Sequence, residues 1–293
     1  MSILISIFIS GYHGKTTDFA KNSSCHRTTI AHFLNSGKWN DSLLSDTLKQ
    51  SVIEIIYSEA ARTGNPVFCI VDDTIASKTK PLSRALHPIE DAYFHQSHLK
   101  KKQDYGHQAV AVMLSCNGIV QNIAKELPVP PVMSYFLCDC WYVSEKIINA
   151  FAQKGFHTIG ALKTNRLLYP SEMKKKLSEL AAELSTTHNG FDLVTVNKRK
   201  YYVYRWSIKI FFRQCKDKMA LDGYQLRSAQ GIKRYWLLMS LAHFMRIAGT
   251  GEFCSFETGY HKICGIVQLE KYRYLFQCAK ESDDFDSFIK LAG

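Results

Sequence analysis

The chain has 293 residues, enough to bury a full core in one large domain or two smaller ones. Apolar residues make up 46%, which excludes a disordered chain. Thirty-seven Lys and Arg against 26 Asp and Glu leave a net charge of +11, which suits a polyanion, nucleic acid above all, and equally permits an anionic membrane surface. No lysine-rich juxtamembrane pattern accompanies that charge. The apolar start, Ile3 to Ile9, lacks a basic flank and is too short to cross a bilayer, so it is read as an internal helix and the protein as cytoplasmic, with no membrane partner. The nine cysteines are odd in number and mostly inside apolar runs (Cys69, Cys116, Cys138, Cys215), as expected of small buried hydrophobes in a reducing compartment. No Cys-x-x-Cys or Cys/His zinc spacing occurs.

Residues 1 to 62 read as helical. A short helix is expected over Thr29 to Asn35, ended by Gly37. A longer one is capped by Asp41 or Ser42, carries Leu44, Leu48, Val52, Ile55 and Ile56, and is punctuated by Gly64 and Pro66. The stretch Gly11 to Ser36, with Lys15, Lys21, His26 and Arg27, has two open readings: a helix-turn-helix for DNA, or plain helical packing against the core.

Val67 to Val71 is a continuous apolar run, as a strand buried on both faces requires, and it leads into Asp72-Asp73-Thr74. Carboxylates at the end of a central strand are costly unless they hold or pair with a cation; the alternative is Asp73 capping the next turn with Asp72 in solvent. Residues 78 to 107 are polar and basic, with His87, His95, His98 and His107, and read as a loop over phosphates; metal ligation by His95 and His98 lacks a third ligand at fixed spacing. Gln108 to Ser115 and Ile119 to Ile123, joined at Asn117-Gly118, read as a hairpin. Tyr135 to Cys138 is a second buried run ending in a carboxylate, Asp139. Ser144 then caps a helix that Gly155 stops, and one more strand is expected over 157 to 162, extended by the polar Lys163, Asn165 and Arg166. A basic helix over 170 to 184 and a hairpin around Asn197 to Lys200 follow.

In the stretch from Tyr202 to Lys216, Ile208, Phe211, Phe212, Cys215 and Met219 recur at helical spacing, and Arg205, Lys209, Arg213 and Lys216 recur on another side. Like charges at i,i+4 cost an isolated helix about 0.2–0.5 kcal/mol per pair, so an anion is expected along that stripe; a solvated basic face is the plainer alternative. Trp236 to Phe244 reads as a helix buried nearly all round, and the chain finishes in a helix.

Tyr202, Arg205 and Lys216 stand at the spacing of the Tyr-Arg-Glu-Lys signature of bacterial cut-and-paste transposases of insertion-sequence family four. The likeness continues through Phe211-Phe212-Arg213, Tyr224-Gln225 and Arg227-Ser228, and includes Tyr105-Gly106-His107 and the pair Asp139 and Tyr142. The signature glutamate falls at position 209, and this chain has Lys209 there. The resemblance implies an α/β fold: a ribonuclease-H-like mixed sheet with helices on both faces and helical extensions at each end. Residues 1–64 would form a helical region for DNA-end binding, 65–250 the catalytic core with a shortened insertion around 166–204, and 251–293 a C-terminal helical segment.

The resemblance also implies DDE-type cleavage and strand transfer of an insertion sequence. Two Mg²⁺ or Mn²⁺ ions about 3.5–4 Å apart activate the nucleophile and steady the leaving oxygen in such chemistry. Asp72 and Asp139 would be catalytic metal ligands, with Asp73 the nearest rival to Asp72. Tyr202, Arg205, Arg213 and Lys216 would grip the DNA, double-stranded transposon ends held by a homodimer. Lys209 is the degenerate third catalytic position. At 4 Å a unit-charge pair is worth about 4 kcal/mol at an effective dielectric of 20, and a dication doubles that, so an ammonium there repels the metal. Asp217 lies about 12 Å further along the helix and cannot replace it, while Glu252 and Glu257 are candidate surrogates. Two readings follow: impaired or absent catalysis in a DNA-binding relative, or an active enzyme with a substitute ligand.

Overall fold

A computed structural model describes residues 2–9, 12–21, 23, 25–83, 88–97, 102–116, 119–123, 127–139, 141–160, 167–168, 175–176, 208–248 and 255–292. The apolar run at 67–71 opens β1 (Phe68–Ser77), the middle strand of a six-stranded sheet. Phe68 through Asp72 are buried without interruption, so both faces of this strand are covered. β2 (Tyr93–Ser97) and β4 (Ile119–Ile123) both pair antiparallel with β3 (Lys102–Cys116), which pairs antiparallel with β1. On the other side β1 runs parallel to β5 (Ser134–Cys138), and β5 parallel to β6 (Phe156–Gly160). The sheet is antiparallel on one side of its central strand and parallel on the other, and it carries helices: this is the mixed α/β, ribonuclease-H-like core.

Two expectations for this region are corrected. β1 does not end at the aspartates but continues through Asp72, Asp73 and Thr74 to Ser77, because the 15 residues of β3 keep pairing with it as far as Gly106 opposite Ser77. Part of the basic segment 78–107 is a β-ribbon rather than loop, with Tyr93 opposite Gly106 and Ser97 opposite Lys102. Gly106 is required there: a Cβ on it would stand 2.2 Å from the Ala76 carbonyl oxygen. Asn117-Gly118 lies outside the described residues, and the strands on either side of it pair as expected, Cys116 opposite Ile119.

By contact the chain divides into two compact units: Asn40–Lys78 with Tyr93–Gln214, and Met1–Trp39 with Thr79–Ala92 and Cys215–Gly293. The first holds the sheet. α4 (Asp41–Thr63) packs on β3 and β4 through Leu48, Val52, Ile53, Ile56 and Ala60, whose spacing makes one apolar stripe. Its cap is Asn40, one residue before the expected one, whose Oδ1 accepts from the Leu43 amide at 2.8 Å. Gly64 in the left-handed region (φ 69°) closes it. α5 (Glu145–Gln153) is capped by Ser144 and packs on β6, with Phe151 stacked on Phe136 at 3.6 Å between ring centroids. Leu167–Leu168 (β7) and Lys175–Lys176 (β8) form a two-stranded ladder. The expected helix over 170 to 184 is therefore wrong at 175–176, where strand pairing overrides local propensity. Tyr202, Arg205 and the hairpin around 197–200 lie outside the described residues.

The second unit is helical: α1 (Ser2–Ile7), α2 (Thr16–Ala20), α3 (Arg27–Asn35), the end of α6 (208–219), α7 (Ala229–Ala248), α8 (Phe256–Lys280) and α9 (Phe285–Ala292). Ile7 and Phe8 are buried, as an internal first helix requires. The buried Arg234 of α7 closes the end of α3, donating to the carbonyls of Phe33, Leu34 and Trp39 at 3.2–3.4 Å with its guanidinium 4.8 Å from the Trp39 ring centroid. Charge-assisted hydrogen bonds are worth about 1.5–3 kcal/mol each, and truncation removes the donor from the Leu34 and Trp39 carbonyls while Phe33 keeps the Trp39 indole N–H at 3.0 Å, so Arg234→Ala should destabilise the protein by about 2–4 kcal/mol in urea denaturation.

Candidate active site

Parallel pairing of β1 and β5 stops at Val71 opposite Cys138, and the next residue on each strand is an aspartate. Asp72 and Asp139 thus leave neighbouring parallel strands at the same level, with backbones about 4.8 Å apart by strand spacing. Asp72 is 8% exposed and Asp139 half-buried. This register brings the two aspartates side by side. Asp73 follows on the other face of β1, since successive side chains alternate. It is opposite Val110 and shares its face with Gln108, whose Nε2 donates to Asp73 Oδ2. The Asp73 amide donates to Asp72 Oδ1 at 3.0 Å.

The chain turns sharply after Asp139, the Tyr142 amide donating to the Asp139 carbonyl at 3.0 Å. Val143, buried, seats that turn on β6 at Gly160, where a Cβ would come within 2.4 Å of Val143 Cγ2 and 3.2 Å of Cys138 Sγ. The half-buried Tyr142 phenol is held well above its ordinary range, first by burial, then by the field of Asp73 and a hydrogen bond with it, then by Asp72 and Asp139. The phenol therefore stays protonated. Sequence reasoning noted Tyr142 only as a family match and missed Gln108 and Gly160 altogether. The signal for Gln108 was its parity with Asp73 across the β1–β3 ladder, unreadable until β1 was known to continue past Asp73.

The helix α6 at 208–219 buries Ile208, Phe211, Phe212, Cys215 and Met219, as its spacing predicts. Lys209 and Arg213 are exposed on its other side, and Lys216 is half-buried. Glu257 lies 4.0 Å from Lys218 and 3.7 Å from His261 Nε2, so that surrogate carboxylate has partners of its own. Glu252, His87 and His98 lie outside the described residues; His95 Nε2 lies 3.2 Å from the Gly106 carbonyl oxygen. Two in-register carboxylates, one deeply buried, are hard oxygen donors that fit one divalent cation. Among the described residues no three His, Cys, Asp or Glu stand close enough together to complete a metal cage.

A mixed sheet with two aspartates side by side where the parallel β1–β5 pairing stops is the ribonuclease-H-like arrangement. The family model described as "Transposase DDE domain" matches residues 64–245, more than half of the chain, and the protein belongs to that family. Its fold, a transposase function and a DNA substrate follow at that level, as does the divalent-metal dependence typical of such domains. No curated protein and no solved structure matches the chain. Among the described residues no helix is long and apolar enough to cross a membrane.

Proposed function

We propose that this chain is a DNA-binding transposase relative of insertion-sequence family four whose strand chemistry is impaired at position 209. The observation that carries this reading is the contrast between two positions. Asp72 and Asp139 each follow the last β1–β5 pair, Val71 opposite Cys138, while residue 209, on the exposed side of α6, is lysine. A divalent cation, Mg²⁺ or Mn²⁺, bound at the two aspartates supplies activation of water or a 3′-hydroxyl and charge relief at the leaving oxygen. The chain's own residues do the rest. Asp72 and Asp139 are the oxygen donors. Lys209, Arg213 and Lys216, with Tyr202 and Arg205, contribute the phosphate grip. The ammonium of Lys209 disfavours the second cation and neutralises phosphate instead. A homodimer on paired transposon ends and a cytoplasmic location belong to the same proposal. The exposed Ile266, Leu269, Tyr272 and Phe276 of α8 offer an apolar face to such a dimer.

The test is binding and nicking of duplex DNA carrying transposon-like ends. Arg213→Ala is expected to weaken duplex binding uniformly across sequences and to lower the slope of log K against log salt by about 0.9, one phosphate's worth of released counterion. An unchanged slope by fluorescence anisotropy would remove Arg213 from the interface. The second reading, an active enzyme with a substitute ligand, requires nicking by the chain as it stands.

A further inference from the structure

Beyond Gly106, opposite Ser77 at the end of β1, β3 has only β2 beside it, and the two continue as a two-stranded ribbon at the edge of the sheet. We infer, on the DNA-binding reading above, that this ribbon enters the major groove of duplex DNA and reads base edges with Gln96 and Gln103, and so sets which sequence the protein prefers.

The two faces of the ribbon differ. Side chains alternate along a strand, so Phe94 and Gln96 share a face with Tyr105 and Gln103, which stand opposite them in the ladder. The aromatic pair is at the foot of that face, ring centroids 5.3 Å apart, and the two amides lie side by side toward the tip. Along β3 the same face is buried at Ala111, Ala109 and His107, half-buried at Tyr105 and exposed at Gln103, so it comes out from under cover where the ribbon begins. Phe94 and Gln96 are exposed across from it. On the other face, His95 Nε2 lies 3.2 Å from the Gly106 carbonyl oxygen, and the Ser77 hydroxyl donates to Asp104 Oδ2 at 2.5 Å. Asp104 is the one carboxylate between Tyr93 and Tyr105, a stretch that has three lysines, and it is held back on the face away from the glutamines.

A two-stranded ribbon fits the major groove, about 12 Å wide, where each base pair presents a distinct set of donors and acceptors. A glutamine amide carries both a donor and an acceptor and pairs with N6 and N7 of adenine, and an apolar ring beside it packs on a thymine methyl. Lys102, exposed on the same ribbon, meets phosphate, which positions the strands without reading sequence.

The test is selection of bound sites from a pool of random duplex oligonucleotides by the whole chain and by variants at exposed positions, which should melt close to the unaltered chain. The unaltered chain is expected to select a site with at least one fixed adenine. Gln96→Ala and Gln103→Ala should each relax that site, lowering the preference for an adenine about 5-fold or more while random duplex binds as before. Gln103→Arg should move the preference at its position to guanine. Lys102→Ala should weaken all sequences alike and lower the salt slope by about 0.9, with the selected site unchanged. Equal binding of all sequences by the unaltered chain, or the same selected site in Gln96→Ala and Gln103→Ala, overturns the ribbon as reader while DNA binding survives. So does a Phe94→Ala variant that changes oligomeric state and leaves the site alone, since β2 would then be an edge for another protein strand. An unaltered chain that binds no duplex overturns the DNA-binding reading, and the ribbon's role with it.

Discussion

Lys209→Glu is expected to raise Mn²⁺ affinity by at least about 10²-fold and to turn a DNA-binding protein into one that nicks duplex DNA. On the proposed reading, in which position 209 faces the cation held by Asp72 and Asp139, the substitution replaces a cation with an anion. A unit-charge pair at 4 Å in an effective dielectric of 20 is worth about 4 kcal/mol, which is on the order of 10³-fold before screening at an exposed helix position reduces it. Residue 209 is exposed, so the change leaves the buried face of α6, from Ile208 to Met219, intact. Isothermal titration with Mn²⁺ reads the effect directly. Equal affinity in the two proteins would mean that position 209 is remote from the cation.

The second large effect is at the aspartates. Asp139→Asn or Asp72→Asn, in the Lys209→Glu background, should reduce nicking at least about 10³-fold, since each removes one of the two charged oxygens proposed to hold the cation, and among the described residues no three His, Cys, Asp or Glu cluster to supply a spare. Both should bind duplex DNA in EDTA at least as tightly as their parent, because a carboxylate repels the phosphate that a cation would otherwise bridge. Anisotropy in EDTA and a nicking assay in Mn²⁺ check both halves. Loss of DNA binding alongside loss of nicking would indicate a folding lesion.

The parts of the core that rest on unbroken apolar runs were legible in the sequence. Val67 to Val71 and Tyr135 to Cys138 could be nothing but buried strands, and the carboxylate after each drew attention to Asp72 and Asp139. The stripes of α6 were equally readable, because Ile208, Phe211, Phe212, Cys215 and Met219 fall on one side of a 3.6-residue period. What escaped was set by partners distant in sequence. β1 runs past its aspartates only because β3 is long enough to pair with it, and β2 exists only against the start of β3. Asn40 caps α4 although Asp41 and Ser42 have equal capping chemistry, a choice that backbone geometry makes and composition cannot. Gln108 and Asp73 meet along a diagonal across the β1–β3 ladder, which has no spacing to read. The grip residues Tyr202 and Arg205 rest on the signature alone.

The measurement that bears most directly on the central claim is a nicking and strand-transfer assay in Mg²⁺ and Mn²⁺, with the unaltered chain, Lys209→Glu and Asp139→Ala side by side. The account predicts that the unaltered chain binds the DNA without cutting it and that only the glutamate form cuts. Cutting by the unaltered chain that Asp139→Ala abolishes would contradict it, and would place another group at the third ligand position.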